Sequence, residues 1–341
     1  MPKKSPLEIW LCLLMLGFAL GACTPSTALD RQWRTYKQRF IQDGRVVDTG
    51  NGGISHSEGQ GYAMLLAVAA DDRRTFERLW SWTRNQLQRR GDHLFIWRRR
   101  PGVPVEKEDH NNATDGDLLI AWALLRAAQR WNRPTWRTDA LAILQDLKKT
   151  GIREWRNRPV MLPGAAGFVH PDHLTLNLSY WVFPALRDFY REDGDPLWPA
   201  LSDSGLNLLQ AARFGSWQLP SDWIAAGESL APDPDHPPRF GYDAVRIPLY
   251  LIWGNHDNPE ILTPFIRFWN QFDKFLPPWV DLEADCLAAY QAPRGIRNVR
   301  SLTLYAAGRN RWPALSPLAA DDDYYSASLT LLAHLALAHE R

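Results

Sequence analysis

The 341 residues include only three cysteines, carry almost no net charge and hold no apolar stretch of bilayer-spanning length. Each shortage removes a class of protein. Cys12, Cys23 and Cys286 are too few and too scattered for a disulfide scaffold or a Cys/His zinc centre. His170 and His173 are three apart, but Pro171 between them points to a loop rather than a metal site. The 39 Lys and Arg against 38 Asp and Glu leave a formal charge of +1, with no basic field for nucleic acid and no acidic tail. No Gly-rich phosphate loop ends in Lys-Ser/Thr and no Gly-x-Ser-x-Gly elbow occurs, so neither P-loop chemistry nor serine-esterase chemistry finds support. Strand-like alternation, short internal repeats and a shift in composition are missing as well, which predicts one helical domain over residues 23–341.

What is abundant is the aromatic ring: 17 Trp, 13 Phe and 10 Tyr. Tryptophan is awkward to bury whole because its N–H needs a partner. Flat rings also stack on the apolar faces of sugars, so the choice is between a Trp-rich core and a carbohydrate cleft. The N-terminus reads as an export signal. Lys3 and Lys4 precede the 12-residue apolar run Ile9 to Leu20, too short for a comfortable membrane span. Leu20-Gly-Ala-Cys23 then fits either ordinary cleavage after residue 22 or a lipobox with Cys23 as the lipidated N-terminus. Either way the mature chain is expected outside the cytoplasm, periplasmic or secreted. If Cys23 is not lipidated, a disulfide to Cys286 stays open.

Apolar residues at helical spacing predict a dozen helices, at 33–40, 65–70, 76–87, 115–131, 139–150, 176–191, 201–214, 242–253, 259–275, 282–290, 300–308 and 324–339. Long Gly- and Pro-rich connections at 44–53, 159–173 and 220–240, with a polar excursion at 98–109, separate them. Connections that long usually have a task such as building a cleft.

Three acidic positions stand out. Asp115 and Asp117 open the helix in Ala113-Thr-Asp-Gly-Asp117, where Thr114 or Asp115 can cap free N–H groups and the helix dipole favours negative charge. Glu58 lies in Ser57-Glu-Gly-Gln-Gly-Tyr62, at a loop-to-helix junction. Desolvation there would raise its pKa and keep a proton for a general acid; a plain helix-start glutamate is the alternative. Asp243 lies one helical turn before Arg246, which would hold it ionised as a base or form a purely structural pair with it. Two distant carboxyl groups with divided roles are the apparatus of glycoside hydrolysis. Two on one turn cannot flank a sugar, so Asp117 is left to the helix start.

The stretch from Ala113 to Trp131 resembles the signature of glycoside hydrolase family 8 along its whole length. Ser57 to Tyr62 is similar to that family's general-acid segment, Tyr242-Asp-Ala-Val-Arg246 to its general-base segment, and Asn177-Leu-Ser-Tyr180 to its Asn-Pro-Ser-Tyr, with Leu178 in the place of proline. The resemblance covers residues 30–340. It implies an all-α (α/α)6 barrel and inverting hydrolysis of β-1,4-glucan without a metal or organic cofactor. It makes Glu58 the acid, Asp243 the base and Asp115 the residue that grips the distorted sugar. Tyr180 and Arg246 would assist, and Asn177, Tyr242 and the stacking candidate Trp97 would line the substrate. Inversion calls for carboxyl groups about 6.5–9.5 Å apart. Gly44-Arg-Val-Val-Asp48 and Asp323-Tyr-Tyr325 are similar to the endoglucanases that accompany bacterial cellulose synthase, which would make cellulose the substrate and the synthase or export complex a partner. Similar segments serve chitosan, mixed-linkage glucan and xylan, and a non-catalytic glycan binder in a secretion assembly is the reading from another class.

Overall fold

The computed structural model describes residues 28–308 and 315–339. The export signal and Cys23 lie outside the described residues; Cys286 is exposed. Eleven α-helices are described: α1 (Ala28–Phe40), α2 (Ser57–Ala69), α3 (Arg73–Gln86), α4 (Thr114–Trp131), α5 (Pro134–Thr150), α6 (Phe183–Asp193), α7 (Leu197–Ala211), α8 (Ile247–Trp253), α9 (Pro259–Trp269), α10 (Arg294–Gly308) and α11 (Tyr324–His339). Among these residues no helix is long and apolar enough to cross a membrane.

Two kinds of helix divide the work. In α2, α4, α8 and α11 nearly every residue along the main body is buried, as expected for helices that are apolar all round. Helices α1, α3, α5 and α9 bury one face and expose the other. The contacts order α2, α4, α6, α8, α10 and α11 into a closed inner ring, with α1, α3, α5, α7 and α9 packed outside it. This is the (α/α)6 barrel. The inner helices begin at one end, where the long connections gather: Gly295 N at the start of α10 donates to Ser326 Oγ at the start of α11, 3.0 Å away.

Close backbone approach between α2 and α4 fixes the two motif helices. A Cβ on Gly61 would stand 2.5 Å from Leu119 Cβ, and one on Gly116 would stand 2.1 Å from Ser57 Oγ. Larger residues would push the helices apart.

Three sequence expectations change. The 282–290 segment is not helical: Asp281 accepts the N–H groups of Glu283 and Ala284 at 3.1 and 2.9 Å, and Asp285 turns left-handed at φ 54°. Asp281 N donates to Cys286 O at 2.9 Å and Ala288 N to Trp279 O at 3.2 Å, so the segment turns back as a hairpin with Leu287 bridged to Val280. The 176–191 helix is interrupted, because Asn177 caps a short 3-10 turn at Leu178–Tyr180 and α6 starts afresh beside Pro184. Strands also exist, in ladders too short to leave an alternating pattern; the largest joins Leu174–Leu176, Ile224–Ala226 and Leu230–Pro232.

Candidate active site

Glu58 and Asp115 occupy the first turns of α2 and α4, side by side at the open end of the ring. His56 caps α2, its Nδ1 accepting from Gly59 N at 3.1 Å, and Ser57 N donates to Trp97 O at 3.0 Å. The acid-bearing turn is therefore tied to the neighbouring loop. The N-cap of α4 is Ala113, which has no side chain to offer, and the Thr114 hydroxyl finds no partner. Asp115 Oδ1 instead accepts from Gly116 N at 2.7 Å. Asp117 does more than serve the helix start: it accepts from Phe95 N at 3.0 Å and Asn112 Nδ2 at 2.7 Å, and burial lifts it to about 7.

Across the cleft, Asp243 immediately precedes a 3-10 turn, Ala244–Arg246, that leads into α8. Arg246 is buried and joins the two sides. Its Nη1 pairs with Glu58 Oε2, and its Nη2 donates to Asp243 Oδ1 at 2.5 Å and to Ser179 Oγ at 2.9 Å. A guanidinium between the two carboxylates keeps them from meeting. Asn177, also buried, accepts from Ser179 N and Oγ at 3.1 and 2.7 Å, so it supports this network from below and does not line the open groove. Tyr180 lies within the field of Asp115, Asp243, Arg246 and Glu58.

The charge states differ from the sequence expectation. Burial pushes Glu58 upward, but Arg246, His56 and a hydrogen bond from Asp115 outweigh it, and its pKa falls below the ordinary carboxylate value. Asp115 goes the other way: burial and the Glu58 charge raise it well above that value. The two share a hydrogen bond, and burial beside the Glu58 charge favours the protonated form of Asp115. Asp243 is raised too, by burial and the Glu58 charge against the pull of Arg246. One arginine cannot hold so many carboxyl groups ionised.

Of the remaining neighbours, Asp222 carries no signal in the sequence. Asp222 Oδ1 accepts three N–H groups, from Gly241 at 3.0 Å, Asp243 at 3.2 Å and Ala244 at 2.7 Å. Nothing in the spacing of the 220–240 loop announces it. Tyr62, inside the quoted acid segment, sits 3.3 Å from Arg246 Nη1 and 2.8 Å from Tyr250. Beyond Asp243, Trp223, Tyr242, Trp279 and Tyr290 line a hollow of about 240 Å³. Tyr242 is 39 % exposed there and packs edge-on to Tyr325. Trp97 lies on the acid side, its Nε1 bonded to Asp109 at 2.9 Å and one face covered by the Arg98 guanidinium, 4.2 Å from the ring centre. Among the described residues no group of His, Cys, Asp and Glu is arranged to hold a metal ion. His170 and His173 stack on each other in a loop.

A helical barrel with acids on opposite cleft walls, bridged by one arginine and flanked by aromatic rings, defines a carbohydrate-cleaving enzyme. The chain belongs to glycosyl hydrolases family 8, whose model matches residues 3–339. It is 44% identical over 319 residues to a probable endoglucanase of Novacetimonas hansenii, with 92% of each chain covered. It is 42% identical over 276 residues to an endoglucanase of Cellulomonas uda, covering 80% of this chain and 77% of that one. Among solved structures, the endo-beta-1,4-glucanase CMCax from Acetobacter xylinum superposes with a TM-score of 0.87 at 43% identity, over 93% of this chain and 99% of that one.

Proposed function

We propose that this chain is an endo-β-1,4-glucanase that cuts cellulose chains internally by single displacement with inversion. The observation that carries this reading is the Arg246 bridge, which sets Glu58 and Asp243 on opposite walls of one cleft. Glu58 donates a proton to the glycosidic oxygen as the bond to the anomeric carbon breaks. Asp243 takes a proton from water as that water attacks the same carbon from the opposite face. The products are a new chain end bearing a hydroxyl and an α-configured reducing end. Asp115 shares a hydrogen bond with Glu58, and its position on α4 lets it grip the sugar. Tyr180 closes the site over the attacking water, and the Trp223–Tyr290 hollow receives sugars beyond the base.

Reducing-sugar release from a soluble cellulose derivative tests the activity, with chitosan, mixed-linkage glucan and xylan as competitors. A cellulose derivative turned over fastest supports the reading, and no release from any polymer sinks it in favour of a glycan binder. Proton NMR of the first product tests inversion; a β-anomer at early time overturns it. The N-terminal sequence and the Gly44–Asp48 and Asp323–Tyr325 segments support a further reading: the protein is exported, and it works alongside cellulose synthesis or its export complex, with a lipid on Cys23 as one form of attachment. Intact-mass measurement of the mature N-terminus tests the export and the anchor.

A further inference from the structure

We infer that Asp222 is a positioning residue for the base: its carboxylate holds the non-helical segment 241–244 in the shape that aims Asp243 at the cleft. The inference rests on Asp243 being the base of the glucanase reading above.

A helix holds its own N–H groups after the first turn, but residues 241–244 precede α8 and have no helical partners for theirs. Gly241, Asp243 and Ala244 all direct their N–H groups to one oxygen, Asp222 Oδ1, at 3.0, 3.2 and 2.7 Å. Next in the chain, Val245 N turns back to Gly241 O at 3.0 Å and Arg246 N to Asp243 O at 3.1 Å, so the carboxylate seeds the turn that also presents Arg246. Gly241 leaves the room required: a Cβ there would stand 2.7 Å from Asp222 Oδ2.

Asp222 is itself anchored. Its N–H donates to Arg239 O at 2.6 Å, and the chain runs on into Ile224–Ala226, which pairs with Leu174–Leu176. That strand leads directly to Asn177 and Ser179 beneath Arg246. One short sheet thus reaches the base from both sides, through Asp222 to its backbone and through Ser179 to its arginine. Burial and the Asp243 charge lift Asp222 to about 7, which agrees with two carboxyl groups held close to each other. A displacement of about 1 Å in a catalytic group can cost on the order of 100-fold in rate.

The test compares Asp222→Ala, which removes the acceptor, with Asp222→Asn, which keeps an oxygen in its place, in the full mature chain. Hydrogen exchange of the peptide spanning 240–246 should speed up by about 10-fold or more in D222A and stay within about threefold of wild type in D222N. On soluble β-1,4-glucan, kcat should fall by about 100-fold in D222A with KM within about threefold, and D222N should recover most of it. Unchanged exchange in D222A, a kcat within about threefold of wild type, or a D222N as impaired as D222A overturns the inference. If D222A does not fold, D222N decides: near-wild-type exchange supports the role, and fast exchange refutes it. Exchange is read without substrate, so a wild type inactive on glucan would refute the glucanase reading while the exchange rates still decide whether Asp222 holds the 241–244 segment.

Discussion

On one side of Arg246 stand Glu58 and Asp115; on the other stand Asp243 and Asp222. Each pair combines a reacting carboxyl group with a raised neighbour, yet the two are held by different means. The acid pair rides on the first turns of two inner helices whose backbones touch at Gly116 and Ser57. The base pair rides on irregular chain, and side-chain acceptors supply the order that a helix would have provided. The acid side inherits its precision from the barrel core, while the base side depends on a few hydrogen bonds at the loop level. The Glu58–Asp115 pair also shares a direct hydrogen bond, whereas Asp243 and Asp222 meet through backbone N–H groups.

The most severe test removes the reacting groups themselves. Glu58→Gln and Asp243→Ala should each lower kcat on soluble cellulose derivatives by about 10²–10⁴-fold, with oligosaccharide binding retained. Their remedies should differ. A glycoside with a nitrophenolate leaving group needs no protonation and should restore turnover to E58Q but not to D243A. Azide, a nucleophile that needs no base, should rescue D243A alone. Identical responses would mean that the two sides are wrongly assigned.

Arg246→Ala should cost about 100-fold in kcat and also move the pH profile. Arg246 stabilises the ionised forms of both Glu58 and Asp243, so its loss raises both pKa values. The acidic limb, set by ionisation of the base, and the alkaline limb, set by loss of the acid's proton, should therefore both shift to higher pH. A profile of kcat/KM from about pH 3 to 9 reads this directly, and a downward shift of either limb would contradict the bridge.

The smallest effects compare the two scaffolds. Gly116→Ala drives a Cβ within 2.1 Å of Ser57 Oγ and 2.8 Å of Glu58 N, so α2 must move. A loss of about 1–3 kcal/mol in urea unfolding and roughly 10-fold in kcat is expected. Gly241→Ala meets the Asp222 carboxyl oxygen at 2.7 Å and should lower kcat with under about 1 kcal/mol of destabilisation. Equal stability losses would remove the distinction between a core-held acid and a loop-held base.

The contrast also explains what the sequence can and cannot convey. Helix periodicity around Leu118, Trp122 and Leu125 is a strong signal because burial on a ring of helices demands it. The acid segment and the Asp115 helix are legible for that reason, and the family resemblance adds the roles. Asp222 is silent, since its function lies in accepting backbone N–H groups across 19 to 22 residues, which no local spacing encodes. The turn after Asp281 is hidden because Leu287 bridges back to Val280 and Asp285 turns left-handed, with no proline or glycine to announce it. The protonation order is hidden for a different reason. Arg246 stands visibly beside Asp243 in the chain, but its reach across to Glu58 over 188 positions leaves no local trace.

The inner helices share one direction and the outer helices packed on them run back the other way, so the helix field acts locally, at the first and last turns, rather than across the whole barrel. Each helix contributes about half a positive charge at its first turn and the opposite at its last. At the cleft, Glu58 and Asp115 sit in the first turns of α2 and α4, where that local field favours negative charge, while burial works against it. At the far end the last turns of α4, α6 and α11 meet the first turn of α5 around a hollow of about 640 Å³, where Arg187 and Arg191 pair with Asp188 and Arg137 with Glu192. Each mouth thus mixes helix starts or ends with ion pairs of its own, and charge there is set turn by turn.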